Sequence, residues 1–389
     1  MSNRRDFMLG TAAFGALAHN DIRLANAENA VSTAAKPLRM LILGGTGYIG
    51  PHFVQAAVAR GHKVSVFTRD KDRAELPVEV ERLIGDRNGD LESLKNRDWD
   101  AILDLATYIP IWVRTLGQSL GARVRHYTFI STESVYQFPG AVDEKSAVRK
   151  YTGAVDAYSA SASPKTTEEY GALKALCERE AERHFPGRTL ILRPGSIVGP
   201  GDDRDPHHNY WPVRMKRGGE ILVAGDPFAR VQIIDVRDLA EWAISMAERS
   251  ETGVFNAIGP AMPMTYVEML GGIRGTLSVP LTLTWVSASW LDEKQVPASY
   301  ALRFWPSEAD MPGFMHLAND KALSKGLTFR PWSTTVASIL AWFEALPTEL
   351  QKDLFAHVRA GDTGSLADLI AREQDILTLW HAQQKRTSP

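Results

Sequence analysis

One junction near the start of the chain limits its fold more than any other feature. The run Leu38-Arg39-Met40-Leu41-Ile42-Leu43 leads straight into Gly44-Gly45-Thr46-Gly47-Tyr48-Ile49-Gly50. A short, continuous apolar run is what a parallel strand buried on both faces requires. Pro51 to Arg60 then has helical spacing, and Gly61 stops it. Strand, glycine-rich turn and helix, in that order, form the context of a dinucleotide-binding fingerprint. Gly44 and Gly47 let the chain turn and bring backbone N–H groups to a pyrophosphate. Gly50 lets the helix pack on the strand, and the helix N-terminus faces the phosphates. Gly45, Thr46, Tyr48 and Ile49 fill the rest of this candidate cofactor loop. An ordinary tight turn would use the same glycines, so the neighbouring segments carry the decision.

The second strand, Lys63 to Phe67, is followed by Thr68-Arg69-Asp70-Lys71. An NAD-binding chain usually places an acid here for the ribose 2′-hydroxyl. Thr68 removes the carboxylate that would repel a 2′-phosphate, and Arg69 can pair with one. That favours NADP, while Asp70 keeps NAD open. Val80 to Asp86 reads as a third strand, with Asp86 placed to meet an adenine edge. Ala101 to Ala106 reads as a fourth, with Leu105 and Ala106 ending near the cofactor. His126 to Thr132 and Thr189 to Gly195 read as the fifth and sixth. Strands alternating with helices predict an α/β fold, a doubly wound parallel Rossmann sheet.

Composition narrows the classes. Of 389 residues, 44% are hydrophobic and 23% charged, which excludes a disordered chain. The formal net charge is −2, so no basic excess points to nucleic acid. The single cysteine, Cys177, excludes an internal disulfide and a cysteine-based zinc site. His207-His208 sits in a loop without converging ligands and reads as a loop pair, with no metal expected. No apolar run reaches the length of a membrane span.

The first residues read as an export signal. Arg4-Arg5 precedes a modest apolar stretch from Phe7 to Ala18, and Ala25-Asn26-Ala27 offers a small-residue cleavage site. This arrangement resembles a bacterial twin-arginine signal, a route that carries folded proteins. It implies a periplasmic protein that meets the twin-arginine translocation machinery and keeps no membrane span after processing.

Further motifs complete a family pattern. They are Ile130-Ser131-Thr132-Glu133-Ser134-Val135-Tyr136, then Tyr170-Gly171-Ala172-Leu173-Lys174, then Arg193-Pro194-Gly195-Ser196-Ile197-Val198-Gly199. Tyr170 is the only tyrosine with a lysine four residues on. With the glycine turn, these segments resemble the extended short-chain dehydrogenase/reductase family, in its NAD-dependent epimerase/dehydratase branch, over roughly residues 38–345. The spacing of Tyr170 and Lys174 puts both on one helix face. A nearby ammonium favours a phenolate and lowers the phenol pKa from its ordinary value near ~10.

The resemblance implies that Thr132 hydrogen-bonds the reacting oxygen, that Tyr170 moves its proton, and that Lys174 also holds the nicotinamide ribose. It places Arg193, Pro194 and Gly195 beside the cofactor. Glu133-Ser134 stands where dehydratases of the family carry an Asp-Glu pair, so Glu133 is either a second acid/base or an exposed charge. Gln137 to Glu169 reads as an irregular flank of the site.

The resemblance also implies a smaller C-terminal α/β substrate domain, in which Tyr210, Trp211, Arg214 and Arg230 occupy substrate-contact places. Trp285, Trp290 and Trp305 are either a sugar-stacking wall or core. The expected division is 1–27 signal, 28–37 linker, 38–200 Rossmann part, 201–347 substrate part and 348–389 helical extension. The extension has no assigned chemistry and leaves room for a homo-oligomer contact or a lid.

The functional expectation is an NAD(P)-dependent oxidoreductase, epimerase or dehydratase acting on a small sugar-like alcohol. Its hydride would return within the cycle and its cofactor would be tightly bound. Two alternatives stand beside it: a simple dehydrogenase/reductase, and a non-enzymatic nucleotide- or RNA-binding member, since plant plastid stem-loop-binding proteins resemble this branch.

Overall fold

A computed structural model of the protein describes residues 33–69, 76–105, 107–138, 140–202, 209–296, 313–354 and 366–387. The expected signal segment, Asp70, Ala106, His207-His208 and Trp305 lie outside them. The elements belong to one compact unit, Ala34–Pro389.

The main sheet begins with β1 (Arg39–Leu43), β2 (Lys63–Thr68) and β3 (Glu81–Ile84). It continues through β4 (Ala101–Asp104), β5 (Tyr127–Ile130) and β6 (Thr189–Pro194). The short β7 (Ser196–Val198), β8 (Gly219–Ala224), β9 (Arg230–Val231) and β10 (Ile233–Asp235) lie apart from it. The chain then returns with β11 (Gly253–Ala257) as the seventh strand. The order is β11-β6-β5-β4-β1-β2-β3, and every pair is parallel. The fold is thus the doubly wound α/β sheet expected. The path reverses between β1 and β4, and in such sheets ligands bind outside the carboxyl ends of the strands at that switch.

Helices α1 (Gly50–Ala59), α2 (Pro110–Leu120) and α3 (Thr167–His184) connect the strands. One sheet face buries Met40, Ile42, Val64, Val66 and Leu103 with Phe53 and Val54 of α1. The other buries Leu41, Leu43, Ile102 and Phe129 with Val113 of α2 and Cys177 of α3. Alternate residues of one strand thus feed two cores, which is why the strands read as unbroken apolar runs.

The smaller part holds α4 (Tyr210–Lys216), α5 (Val236–Glu248) and α6 (Tyr266–Arg274), with β12 (Met264–Thr265) and β13 (Leu281–Val286). The chain closes with α7 (Ala288–Glu293), α8 (Asp320–Ser324), α9 (Trp332–Ala345), α10 (Thr348–Asp353) and α11 (Leu366–Thr387). β10 pairs with β7 and β13 with β8, both parallel, while β12 pairs antiparallel with β9. Among the described residues, no helix is long and apolar enough to cross a membrane.

Several residues expected at a substrate surface are core. Tyr210 and Trp211 are 0% and 1% exposed, and the Trp211 ring meets Tyr266 edge-on at 5.8 Å. The buried Arg214 is occupied by Glu373 of α11, with Nε 2.7 Å from Oε2, and by the carbonyls of Gly218 and Glu220. An ion pair this dry is held by geometry on both sides and is not open to a ligand. Trp290 is buried edge-on against Trp380 at 5.1 Å, and Trp285 meets Tyr266 at 5.4 Å. These are packing roles. The C-terminal helix therefore braces the smaller part from behind.

Candidate active site

The glycine turn has the shape a pyrophosphate loop needs. Gly44 sits at φ 87°, where a side chain would be strained. Its carbonyl accepts the Gly47 N–H at 3.1 Å, and the Gly47 carbonyl accepts the Gly50 N–H at 3.0 Å. A Cβ on Gly50 would lie 2.3 Å from the Gly45 carbonyl carbon, so the helix starts flush against the turn. Ile49 gives α1 no side-chain cap, and Pro51 follows directly. The helix start thus carries no side-chain cap at the end where an anion would sit. A cavity of about 200 Å³ opens here, walled by Gly44, Thr46, Gly47, Thr68, Arg69 and Asp86 among others. Turn, uncapped helix and cavity together fit a dinucleotide.

The other expected cofactor residues are distributed as follows. Thr68 is buried at the end of β2, and Arg69 is exposed beside it. Arg69 has no hydrogen bond or ion pair among the described residues. Asp86 accepts the Asn88 N–H at 2.8 Å through Oδ1. Tyr48 is half-buried, with its ring edge-on to His52 at 6.5 Å, and Ile49 packs against the core. Leu105 is buried and outside the cavity wall; its N–H donates to the Leu43 carbonyl at 3.1 Å.

Tyr170 and Lys174 lie in the first half of α3, which Thr166 caps by accepting the Glu169 N–H at 3.2 Å. Between them stands Gly171. A Cβ there would lie 1.8 Å from the Ser134 carbonyl oxygen. The helix is therefore pressed onto the turn Glu133–Val135, and Tyr170 is brought to the Thr132 loop. Thr132 caps that turn: its Oγ accepts the Ser134 N–H at 3.2 Å. The hydroxyl proton is left to be donated elsewhere.

Lys174 is 2% exposed and donates from Nζ to the carbonyls of Thr107 at 3.0 Å and Ile130 at 2.5 Å. Its ammonium also lies 4.3 Å from the centre of the Phe129 ring. Burial lowers its pKa to about 8. Tyr170 behaves differently from the expectation that a nearby ammonium would lower its pKa. Burial pushes the phenol up to about 12, with Cys177 and Tyr108 adding to the rise. Desolvation disfavours the phenolate, and the ammonium is spent on backbone carbonyls. Tyr170 is a protonated phenol at neutral pH.

Glu133 is 5% exposed, which rules out the exposed-charge reading. Its Oε2 is buried with no hydrogen-bond partner, and a Cβ on Gly195 would lie 2.9 Å from it. Burial holds this carboxyl well above the usual range. Desolvation favours the protonated form of this carboxyl, which stands next to Thr132 in the chain.

Arg193 is the clearest correction within the expected cofactor set. Its Nε and Nη2 bind Glu178 at 2.9 and 2.6 Å, and its guanidinium lies 4.8 Å from the Tyr136 ring centre. A buried fork used this way braces β6 against α3, while Nη1 is buried with no hydrogen-bond partner among the described residues. Pro194 ends β6, and Gly195 gives Glu133 its space. Arg230 is half-buried and lines a second cavity of about 530 Å³, with no side-chain ion pair among the described residues.

Four participants were absent from the sequence reading. The Thr107 carbonyl holds Lys174, and the Tyr108 ring meets Tyr170 edge-on at 6.0 Å. Arg87 and Trp112 line the glycine-turn cavity. The one available signal was Asp104, a charged residue inside an apolar strand, which demanded a buried partner such as Arg87.

The model of the NAD dependent epimerase/dehydratase family matches residues 40–119 and 113–258. No curated protein matches the chain in sequence. Among solved structures, the chain is similar to the enzyme WbmH of Bordetella bronchiseptica in complex with NAD+, at 16% identity and TM-score 0.57, covering 79% of this chain and 99% of that one. It is similar to UDP-glucuronic acid 4-epimerase from Bacillus cereus in complex with NAD, at 16% identity and TM-score 0.52, covering 80% and 99%. It is also similar to UDP-N-acetylglucosamine 4-epimerase from Methanobrevibacter ruminantium M1 in complex with UDP-N-acetylmuramic acid, at 16% identity and TM-score 0.57, covering 80% and 99%. At this identity the likeness is one of fold.

Proposed function

The chain belongs to the NAD-dependent epimerase/dehydratase family, and from that premise we propose an exported enzyme that oxidises a sugar-like alcohol and returns the hydride within one catalytic cycle. The observation that carries this is the contact of α3, the helix of Tyr170 and Lys174, through Gly171 with the Ser134 carbonyl of the turn that Thr132 caps. When bound, the dinucleotide supplies the hydride acceptor. Tyr170 must shed its phenol proton before the oxidising half, in which the phenolate takes the alcohol proton; the phenol so formed returns that proton to the substrate oxygen in the reducing half. Thr132 holds that oxygen with its free hydroxyl proton. Lys174 is fixed by two carbonyls and braces the Tyr170 helix against β4 and β5. Glu133, whose carboxyl burial holds above the usual range, is the second candidate acid. Ser134 is no base, so the carboxylate pair of a dehydratase is incomplete, and this favours epimerase-type or simple oxidoreductase chemistry.

Thr68 and the exposed Arg69 support NADP over NAD, through a charge-assisted pair with a 2′-phosphate. Export rests on Arg4-Arg5 ahead of the apolar stretch. The periplasm is not expected to supply free NADPH, so an enzyme working there keeps its cofactor and recycles its hydride. Sugar nucleotides are largely cytoplasmic, which turns the substrate reading toward a free sugar, a glycoside or another small alcohol. With both arginines replaced by lysine, a reporter fusion of the full chain is expected to stay in the cytoplasm. Unchanged delivery of the reporter to the periplasm contradicts the export reading.

A further inference from the structure

Asp104 ends β4 with 0% exposure, in the middle of the molecule. A carboxylate so placed must be matched, and it is. Arg87 reaches it with both terminal nitrogens, Nη1 to Oδ1 at 2.8 Å and Nη2 to Oδ2 at 2.6 Å, and the Tyr127 hydroxyl donates to Oδ2 at 2.7 Å. The Arg87 side chain is therefore locked, and its charge is answered from below. Its two terminal nitrogens are committed to the carboxylate, Nε is buried with no hydrogen-bond partner among the described residues, and its flat faces remain.

One face lies 5.7 Å from the centre of the Trp112 ring. Trp112 is held in turn: its Nε1 donates to Asn88 Oδ1 at 2.7 Å. Both planar groups line the glycine-turn cavity, together with Asp86, the residue immediately before Arg87. A guanidinium spent on a carboxylate cannot fork a phosphate, but it can stack. An indole beside it adds a second flat surface.

We infer that Arg87 and Trp112 form a prebuilt stacking wall for the adenine of the dinucleotide, fixed by Asp104, and that this wall sets the affinity for the purine end of the cofactor. The inference rests on the dinucleotide reading given above and extends it to two residues at the adenine end. It divides the cations of the cavity by task. Arg69, exposed and with no ion pair among the described residues, is left for a 2′-phosphate. Arg87, paired and flat, takes the base.

The test uses the full chain stripped of nucleotide and titrated with NADH, with ADP and with nicotinamide mononucleotide. Trp112→Ala is expected to weaken ADP and NADH about tenfold, the ~1.4 kcal/mol of one stacked base, and to leave nicotinamide mononucleotide unchanged. Trp112→Phe keeps a ring and is expected to restore most of the loss. Arg87→Lys keeps the charge opposite Asp104 but loses the plane, and is expected to weaken ADP as well. A folded Trp112→Ala protein that binds ADP as tightly as the unchanged chain overturns the inference alone. An unchanged chain that binds none of ADP, NADH and NADPH overturns the dinucleotide reading, and this inference falls with it. A loss shared equally by all three ligands shows a general disturbance of the cavity and also overturns the adenine wall.

Discussion

Tyr170→Phe is expected to leave the nucleotide bound and to cut turnover by roughly 100-fold or more. The ring fills the same half-buried place and still meets Tyr108 edge-on, so the helix and the cavity keep their form. What is lost is one hydroxyl. That hydroxyl is the group whose pKa burial pushes up to about 12, so at neutral pH it holds a proton to give. Thr132 has its own hydroxyl proton but accepts from the Ser134 N–H, and it orients an oxygen without replacing a proton carrier. Glu133 is the other candidate acid, its carboxyl pushed up by burial, and any activity left in Tyr170→Phe is assigned to it. The measurement is hydride exchange between bound cofactor and a panel of sugars and polyols, read beside nucleotide content. Full turnover in the variant removes Tyr170 from the chemistry.

Gly171→Ala sets two effects against each other. Helix propensity favours alanine over glycine by about 1 kcal/mol inside a helix. The contact opposes it, because the new Cβ would lie 1.8 Å from the Ser134 carbonyl oxygen and 2.6 Å from its carbon. Both are backbone atoms, so relief requires moving α3 away from the turn that carries Thr132. Overpacking of a tight core costs about 1–3 kcal/mol and sometimes more, and backbone cannot yield as a side chain can. The contact is expected to win: the midpoint of thermal or denaturant unfolding falls, and the Tyr170–Thr132 alignment is lost along with it. A variant as stable as the parent, with unchanged turnover, would show that the helix does not bear on the turn as described.

Much of this was legible before any coordinates. The order of strands and helices, the glycine turn and the Tyr170–Lys174 spacing are local patterns, and local patterns survive in a linear reading. The strand ends shifted by a residue or two, and the type of each element held. What could not be read was where long side chains turn. Arg193 carried a family position but spends its fork on Glu178, fifteen residues back on α3. Arg214 is claimed by Glu373 from a helix 159 positions away in sequence. Tyr210 and Trp211 lie on a short helix packed against α6 and α9, and nothing in their own neighbourhood reveals that. The raised pKa of Tyr170 was missed for a related reason: spacing put Lys174 on the same face, but the carbonyls of Thr107 and Ile130 take its ammonium. Gly171 was visible as a letter, while its closeness to Ser134 is a tertiary fact.

The most direct test of the account is to purify the protein, denature it and identify what it releases. The account predicts close to one nicotinamide dinucleotide per chain, and NADP rather than NAD, because Thr68 and the exposed Arg69 stand at the end of β2. A chain that purifies empty and binds neither dinucleotide at micromolar concentration would contradict it, and the cavity at the glycine turn would need another occupant.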